Sequence, residues 1–286
     1  MLDGSGDVLS GLLNEPTAAD SRPLVVLIHG LSGTEDSAYM LASTRFWLGR
    51  GHRVLRLNLR GAGPSRSTCG EQYHAGRTGD LRDALAGLPP SLTSDGFVLV
   101  GYSLGGNMLL KFLAEHGANF PIVAAASVSA PIDLAAASER FLDVRNWVYH
   151  QHLLRNMKRE CLAPPAELDT SESETVMSCR SILEFDDRVV APRNGFRDAA
   201  HYYRENHARR FLAEISLPTL LVHALNDPWI PSAAYTRYPW KENSWLHPVL
   251  TPSGGHVGFH DRDDSAPYHD RCIGAFFDAF SDAQMT

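Results

Sequence analysis

The sequence predicts an α/β protein: a mostly parallel central sheet with helices on both faces and a helical lid insertion. Three observations predict it. Short apolar runs rich in β-branched residues recur along the chain. Helix-like stretches separate the first four of them, the rhythm of a parallel sheet covered on both sides. Between about 131 and 216 the strand signals vanish, and they return afterwards.

In order, the strand candidates are Leu24 to His29, Arg53 to Asn58, Phe97 to Tyr102, Ile122 to Val128, Thr219 to Ala224 and Trp245 to Leu250. Helices are expected near 37–49, 78–88 and 104–116, and a last one near 267–282 carries Ile273, Phe276, Phe277 and Phe280 at helical spacing, a core-packing stripe. The core domain is expected over 1–130 and 217–286, with 131–216 inserted as a helical cap or lid bounded by Pro131 and Pro218. Within it, Phe141, Val144, Trp147 and Val148 are spaced as one helical face, and "APPAELDTSESE" reads as a turn-rich polar loop. A helical insertion over the carboxyl ends of parallel strands would sit where such sheets bind ligands.

Composition narrows the function classes. The chain has 286 residues, a net charge of -7 and no long basic block, so no nucleic-acid partner is expected. The start, "MLDGSGDVLSGLLNEPTAADSRP", lacks a basic region and an apolar stretch of signal-peptide length, and no segment approaches the roughly 18 apolar residues of a membrane span. A cytoplasmic location is expected. Cys69, Cys161, Cys179 and Cys272 form no CxxC pair and are read as reduced thiols.

The chemistry starts at "VLVGYSLGGNMLL", where Ser103 stands in a G-x-S-x-G pattern. By chance alone that pattern occurs in roughly one chain in ten of this size. Its setting is more specific: a strand precedes it and an amphipathic helix (Met108, Leu109, Phe112, Leu113) follows, as in a nucleophile elbow. A serine hydroxyl needs a base and an orienting carboxylate, in the order Ser, acid, His for this fold type. Asp227 in "NDPWIP" and His256 in "GGHVGF" follow the two later strands in that order. The expected oxyanion donors are the backbone N–H of Leu104, next to the nucleophile, and that of Leu31 in "HGLSGT", with Gly30 and Gly33 as structural helpers. His29 reads as a loop brace. No cofactor is needed.

Taken together, "HGLSGT", "NLRGAGPS", "YHAGRTGDLRDAL", "GYSLGGN", "HLLRNMKR", "EFDDRVVAPRNGFRDAAHYY", "PTLLVHALNDPWIP" and "GGHVGF" resemble the α/β-hydrolase superfamily, and within it the YheT-like, or type 4, branch. The resemblance implies a serine carboxylesterase with Ser103, Asp227 and His256 as its triad. It also implies relatives acting on medium-chain esters, glycerolipids or ethyl esters. The shorter N-terminus leaves open how many leading antiparallel strands the sheet keeps.

The expected substrate is therefore a short- to medium-chain carboxylic ester or a lipid-like small molecule. The alternatives are an acyltransferase passing the acyl group to an alcohol, a glycerolipid lipase, and a non-enzymatic binding protein with this fold. "HVGFHD" also has the H-x-x-x-x-D spacing of some acyltransferases, from His256 to Asp261. Asp186 and Asp187 lack a histidine at metal-ligand spacing and read as a lid brace paired with Arg188 or Arg193. Arg60 to Gly63 is expected to shape a loop beside the pocket. The aromatic and basic stretch "RNWVYHQHLLRNMKRE" could suit a membrane surface, but its apolar face is expected to pack over the acyl pocket.

Overall fold

The structure is a computed structural model that describes residues 2, 4–17, 21–260 and 266–284. Its centre is a seven-stranded sheet in the order β1-β3-β2-β4-β5-β6-β7. The strands are β1 (Gly11–Asn14), β2 (Leu24–Ile28), β3 (Val54–Leu57), β4 (Phe97–Tyr102), β5 (Ile122–Val128), β6 (Thr219–Ala224) and β7 (Leu246–Thr251). All pairings are parallel except β1 with β3. The sequence reading missed β1, which is short, partly exposed and at the sheet edge, so it carries too little hydrophobic pattern to stand out.

The inner strands are mostly apolar on both sides because both faces are covered. Along β4, Phe97 and Leu99 join a cluster with Leu81 and Leu85 of α2 (Thr78–Ala86) and with Leu109 and Phe112 of α3 (Leu104–His116). Val98, Val100 and Tyr102 point the other way, against Met40 and Trp47 of α1 (Ala38–Gly49) and against Ile273 and Phe277 of the final helix (Tyr268–Gln284). Each such side chain, removed from water, contributes roughly 1.5–3 kcal/mol. After edge strand β1 the parallel part begins at β2, moves outward to β3, then crosses back to β4. The switch point lies between β2 and β4, where a doubly wound sheet opens a crevice at its carboxyl edge.

Between β5 and β6 the chain is helical: α4 (Leu134–Phe141), α5 (Trp147–Leu162), α6 (Thr170–Ser178) and α7 (Ala199–Asn206), joined by shorter turns. This stretch has a core of its own, in which Leu154, Met157 and Cys161 of α5 meet Val176, Ile182, Phe185 and Val189.

Two expectations are corrected here. Phe141, Val144, Trp147 and Val148 do not form one helical face: α4 ends at Phe141, a single 3₁₀ turn intervenes, and α5 starts at Trp147. The break is pinned by the Asn146 amide, which donates to Arg140 O at 2.8 Å and Pro228 O at 2.9 Å. Val144, Trp147 and Val148 consequently stand in solvent, 91%, 61% and 68% exposed. Second, the polar stretch from Ala163 is a loop only as far as Asp169, where α6 begins with a capping box formed by Asp169 and Glu172. The D-x-x-E spacing carried that signal.

The four cysteines are free. Among the described residues no helix is long and apolar enough to cross a membrane.

Candidate active site

Ser103 sits in the turn between β4 and α3 with φ 50° and ψ −121°. A non-glycine residue at positive φ costs on the order of 1–3 kcal/mol and persists only where its surroundings fix it. Here they do: the Ser103 N–H donates to Val128 O at 2.8 Å, and its carbonyl accepts from the Asn107 N–H at 3.1 Å. Gly105 lets α3 press against the end of β2, since a Cβ there would lie 2.3 Å from His29 O. Gly30 gives Ser103 room, as a Cβ on it would lie 3.0 Å from Ser103 Cβ.

Asp227 and His256 arrive from the carboxyl ends of β6 and β7. His256 Nδ1 lies 2.8 Å from Asp227 Oδ2, and its Nε2 lies 2.9 Å from Ser103 Oγ. A carboxylate can only accept, so the ring proton belongs on Nδ1 and the Nε2 lone pair faces the serine hydroxyl. Asp227 is locked in place, its Oδ1 accepting from the Trp229 N–H at 2.8 Å and the Ile230 N–H at 3.0 Å. Trp229 covers the pair, with its ring 4.4 Å from that of His256. The sequence reading missed Asn226, whose Oδ1 accepts from the N–H groups of Gly254 (3.1 Å) and Gly255 (3.0 Å) and ties the acid loop to the histidine loop. His260 is exposed. Asp261, the far end of the H-x-x-x-x-D spacing, lies outside the described residues.

Leu31 and Leu104 both border the cavity above Ser103. Among the described residues neither N–H has a hydrogen-bond acceptor. Leu104 is the first residue of α3, where an amide has no partner within the helix. The Leu31 loop is held from several sides. The Gly30 N–H donates to Tyr39 Oη at 3.0 Å, and its carbonyl accepts from His29 Nδ1 at 2.8 Å. His29 Nε2 accepts from the Leu59 N–H at 3.1 Å. Burial holds this imidazole neutral by lowering its pKa to about 4, so His29 serves as a brace. The Ser32 N–H donates to Tyr73 Oη at 2.7 Å, and Glu160 of α5 borders the same cavity as that tyrosine. Burial pushes the Glu160 carboxyl up to about 7. Neither Tyr73 nor Glu160 stands out in the sequence, because their roles rest on long-range contacts. The Tyr73 N–H donates to Arg60 O at 2.8 Å. The Arg60 guanidinium is buried between Asp7 and Asp80, so the loop expected beside the pocket is anchored by an internal ion network.

These groups open onto a cavity of about 430 Å³. Its walls are mainly apolar and come from both the sheet edge and the helical stretch, among them Leu134, Phe141, Leu153, Met157, Phe185 and Trp229. The apolar face of α5 over the cavity is thus Leu153 and Met157. Asp186 and Asp187 depart from expectation: among the described residues neither pairs with an arginine. Arg188 bonds Glu184 and Arg193 bonds Glu172. Asp187 instead accepts from the Ala199 N–H at 2.9 Å, whereas Asp186 turns inward and borders the cavity. A π-helical stretch over Asp186–Val190 begins at this point and rotates the two side chains to different surroundings. Among the described residues no three His, Cys, Asp or Glu side chains gather as a metal site.

A family model described as the alpha/beta hydrolase family matches residues 25–267. YheT of Escherichia coli (strain K12), a candidate esterase, is 35% identical over 253 residues, covering 85% of this chain and 72% of that protein. Phospholipase ABHD3 of Mus musculus is 29% identical over 243 residues, covering 84% of this chain and 59% of that protein. The chain thus spans less than two thirds of the phospholipase. Among solved structures, Est1E from Butyrivibrio proteoclasticus superposes with a TM-score of 0.61 at 17% identity, covering 100% of this chain and 99% of that one. At that identity the likeness is one of fold.

Proposed function

The chain belongs to the alpha/beta hydrolase family and is a hydrolase of the esterase and lipase type, and from that premise we propose that it is a serine carboxylesterase acting on short- to medium-chain esters through an acyl-enzyme. The observation that carries the reading is the chain of contacts Asp227–His256–Ser103, at 2.8 and 2.9 Å, at the floor of a largely apolar cavity.

In this mechanism Ser103 Oγ attacks the ester carbonyl while His256 Nε2 takes its proton. Asp227 keeps the imidazole in the required tautomer and stabilises the imidazolium. The negative charge on the carbonyl oxygen falls to the N–H groups of Leu31 and Leu104, which stand ready without having to break existing bonds. The tetrahedral intermediate collapses, His256 gives its proton to the departing alcohol, and an acyl-serine remains. Water then enters, loses a proton to His256, and attacks the acyl carbon. The acid leaves and Ser103 regains its proton.

The helical stretch 131–216 acts as a cap over the acyl site in this reading, and its contribution of Leu134, Phe141, Leu153 and Met157 to the cavity supports that role. A cavity of about 430 Å³ falls within the range of small-molecule sites. The test is a series of p-nitrophenyl esters graded by chain length, together with a fluorophosphonate probe. The expected result is hydrolysis and labelling by the wild type, both abolished in Ser103→Ala. No hydrolysis by the wild type, or equal turnover after Ser103→Ala, overturns the proposal.

A further inference from the structure

Asp186 is a cavity-facing group that the esterase mechanism leaves unused. Its side chain is buried, and it shares the cavity wall with Ser138 and Tyr203. Tyr203 Oη lies 2.7 Å from Asp186 Oδ2 and 2.9 Å from Ser138 Oγ. Among the described residues no cation lies within ion-pair distance of this carboxyl. Three separate elements meet here: α4 supplies Ser138, the π-helical stretch supplies Asp186, and α7 supplies Tyr203.

A carboxyl has two oxygens and about four acceptor positions, and the Tyr203 hydroxyl uses one of them. Leu134, Ala137, Phe185 and Val190, which line the same cavity, have side chains that offer no donor. Leaving buried acceptor capacity unmet is unfavourable, and an alkyl chain entering the cavity does nothing to relieve it. A group that donates a hydrogen bond does. With the Tyr203 proton on Asp186, the Ser138 hydroxyl donates to Tyr203 Oη, so both the carboxyl and the serine keep free acceptor positions and are matched by a group that donates, such as another hydroxyl. Burial raises the Asp186 carboxyl to about 7, so near neutral pH it is not a committed anion, which favours a neutral hydroxyl over an ammonium ion.

We propose that Asp186, Ser138 and Tyr203 form a polar subsite of the ester pocket that binds a hydroxyl group on the non-reacting part of the substrate, so that the enzyme selects hydroxyl-bearing esters over plain alkyl esters. This rests on the esterase reading of Ser103. The hydroxyl is carried either by the alcohol part, as in a partial glyceride, or by the acyl chain.

The experiment compares kcat/KM ratios in the wild type and in Asp186→Asn at pH 8. One arm takes 1-decanoylglycerol over ethyl decanoate, and the other takes ethyl 10-hydroxydecanoate over ethyl decanoate. Comparing the same ratio in two proteins cancels the intrinsic reactivity of each ester. The expected result is a fall in one ratio of about tenfold, the upper scale of one net hydrogen bond, and the affected arm identifies the part that carries the hydroxyl. A fall of about threefold or more in either arm supports the subsite; smaller changes in both overturn it. If Asp186→Asn fails to fold, Ser138→Ala is read by the same criterion. Fluorophosphonate labelling separates the two levels: a labelled, active enzyme with unmoved ratios loses only the subsite, whereas an unlabelled, inactive wild type loses the esterase reading as well.

Discussion

The Ser32 amide donates to the Tyr73 hydroxyl at 2.7 Å, one residue beyond Leu31, which borders the cavity. Tyr73 thereby holds the Leu31 loop from the side, and its own N–H donates to Arg60 O at 2.8 Å, tying that loop to the buried Arg60 ion network.

Tyr73→Phe removes the acceptor and leaves the Ser32 N–H unmet at a cost of about 1–3 kcal/mol. The expected outcome is a fall in kcat of about tenfold or more with little change in KM, because the loop is needed most when charge develops on the carbonyl oxygen. Steady-state kinetics on one p-nitrophenyl ester checks this. A rise in KM at constant kcat would instead assign Tyr73 to substrate binding.

Asp227→Asn keeps the shape of the loop but presents an NH₂ or a weak acceptor to His256 Nδ1. The favoured tautomer then carries its proton on Nε2, aimed at Ser103 Oγ. By analogy with other serine triads, kcat should drop by about 10³–10⁴-fold, as measured by single-turnover or steady-state assays, with thermal stability changed far less.

Gly105→Ala places a methyl 2.3 Å from His29 O and 2.6 Å from Ile28 O, both main-chain atoms that cannot move aside. A loss of about 3 kcal/mol or more is expected. Chemical denaturation should show it, and the remaining folded fraction should be poorly active because β2 and the elbow can no longer approach. Ala at Gly79, where the nearest atom is the far end of Arg82, is the control with little effect.

Asp270 is fully buried and accepts from Ser43 Oγ at 2.5 Å, and burial raises its carboxyl to about 7. The folded state thus holds its proton more tightly than the unfolded chain, whose carboxyl titrates near 3.9. Its contribution is fully present below about pH 4 and is lost progressively as pH rises to about 7. Asp270→Asn should therefore gain stability relative to wild type as pH is raised from 5 to 8. Taking the difference between the two proteins cancels the opposing effect of distant buried neutral histidines such as His29, whose pKa is lowered to about 4. Denaturant melts at pH 5 and 8 measure it; an unchanged difference would contradict the assignment.

Much of the architecture was legible because it is written in neighbouring residues. β4, β5 and β6 begin and end where their apolar runs do, since an inner parallel strand must be apolar on both faces. Edge strand β1 has no such requirement and left no signal. The three candidate reactive side chains were nameable because this fold type places them in loops after successive strands, and chain order survives folding. Helical spacing failed at Phe141 to Val148 because spacing is meaningful only if one helix runs unbroken, and the Asn146 bonds that break it reach Pro228, far along the chain.

By itself, then, the sequence determined the α/β class, the inserted helical stretch and the order Ser103, Asp227, His256, all properties of local pattern and chain order. Tertiary structure alone decided the distances among those three, the turning of Asp186 into the cavity away from the arginines beside it, and the hold of Tyr73 on Ser32. The reason is physical: periodicity reports which face of an element is apolar, whereas a hydrogen bond between distant residues depends on how whole elements pack, to within a fraction of an ångström.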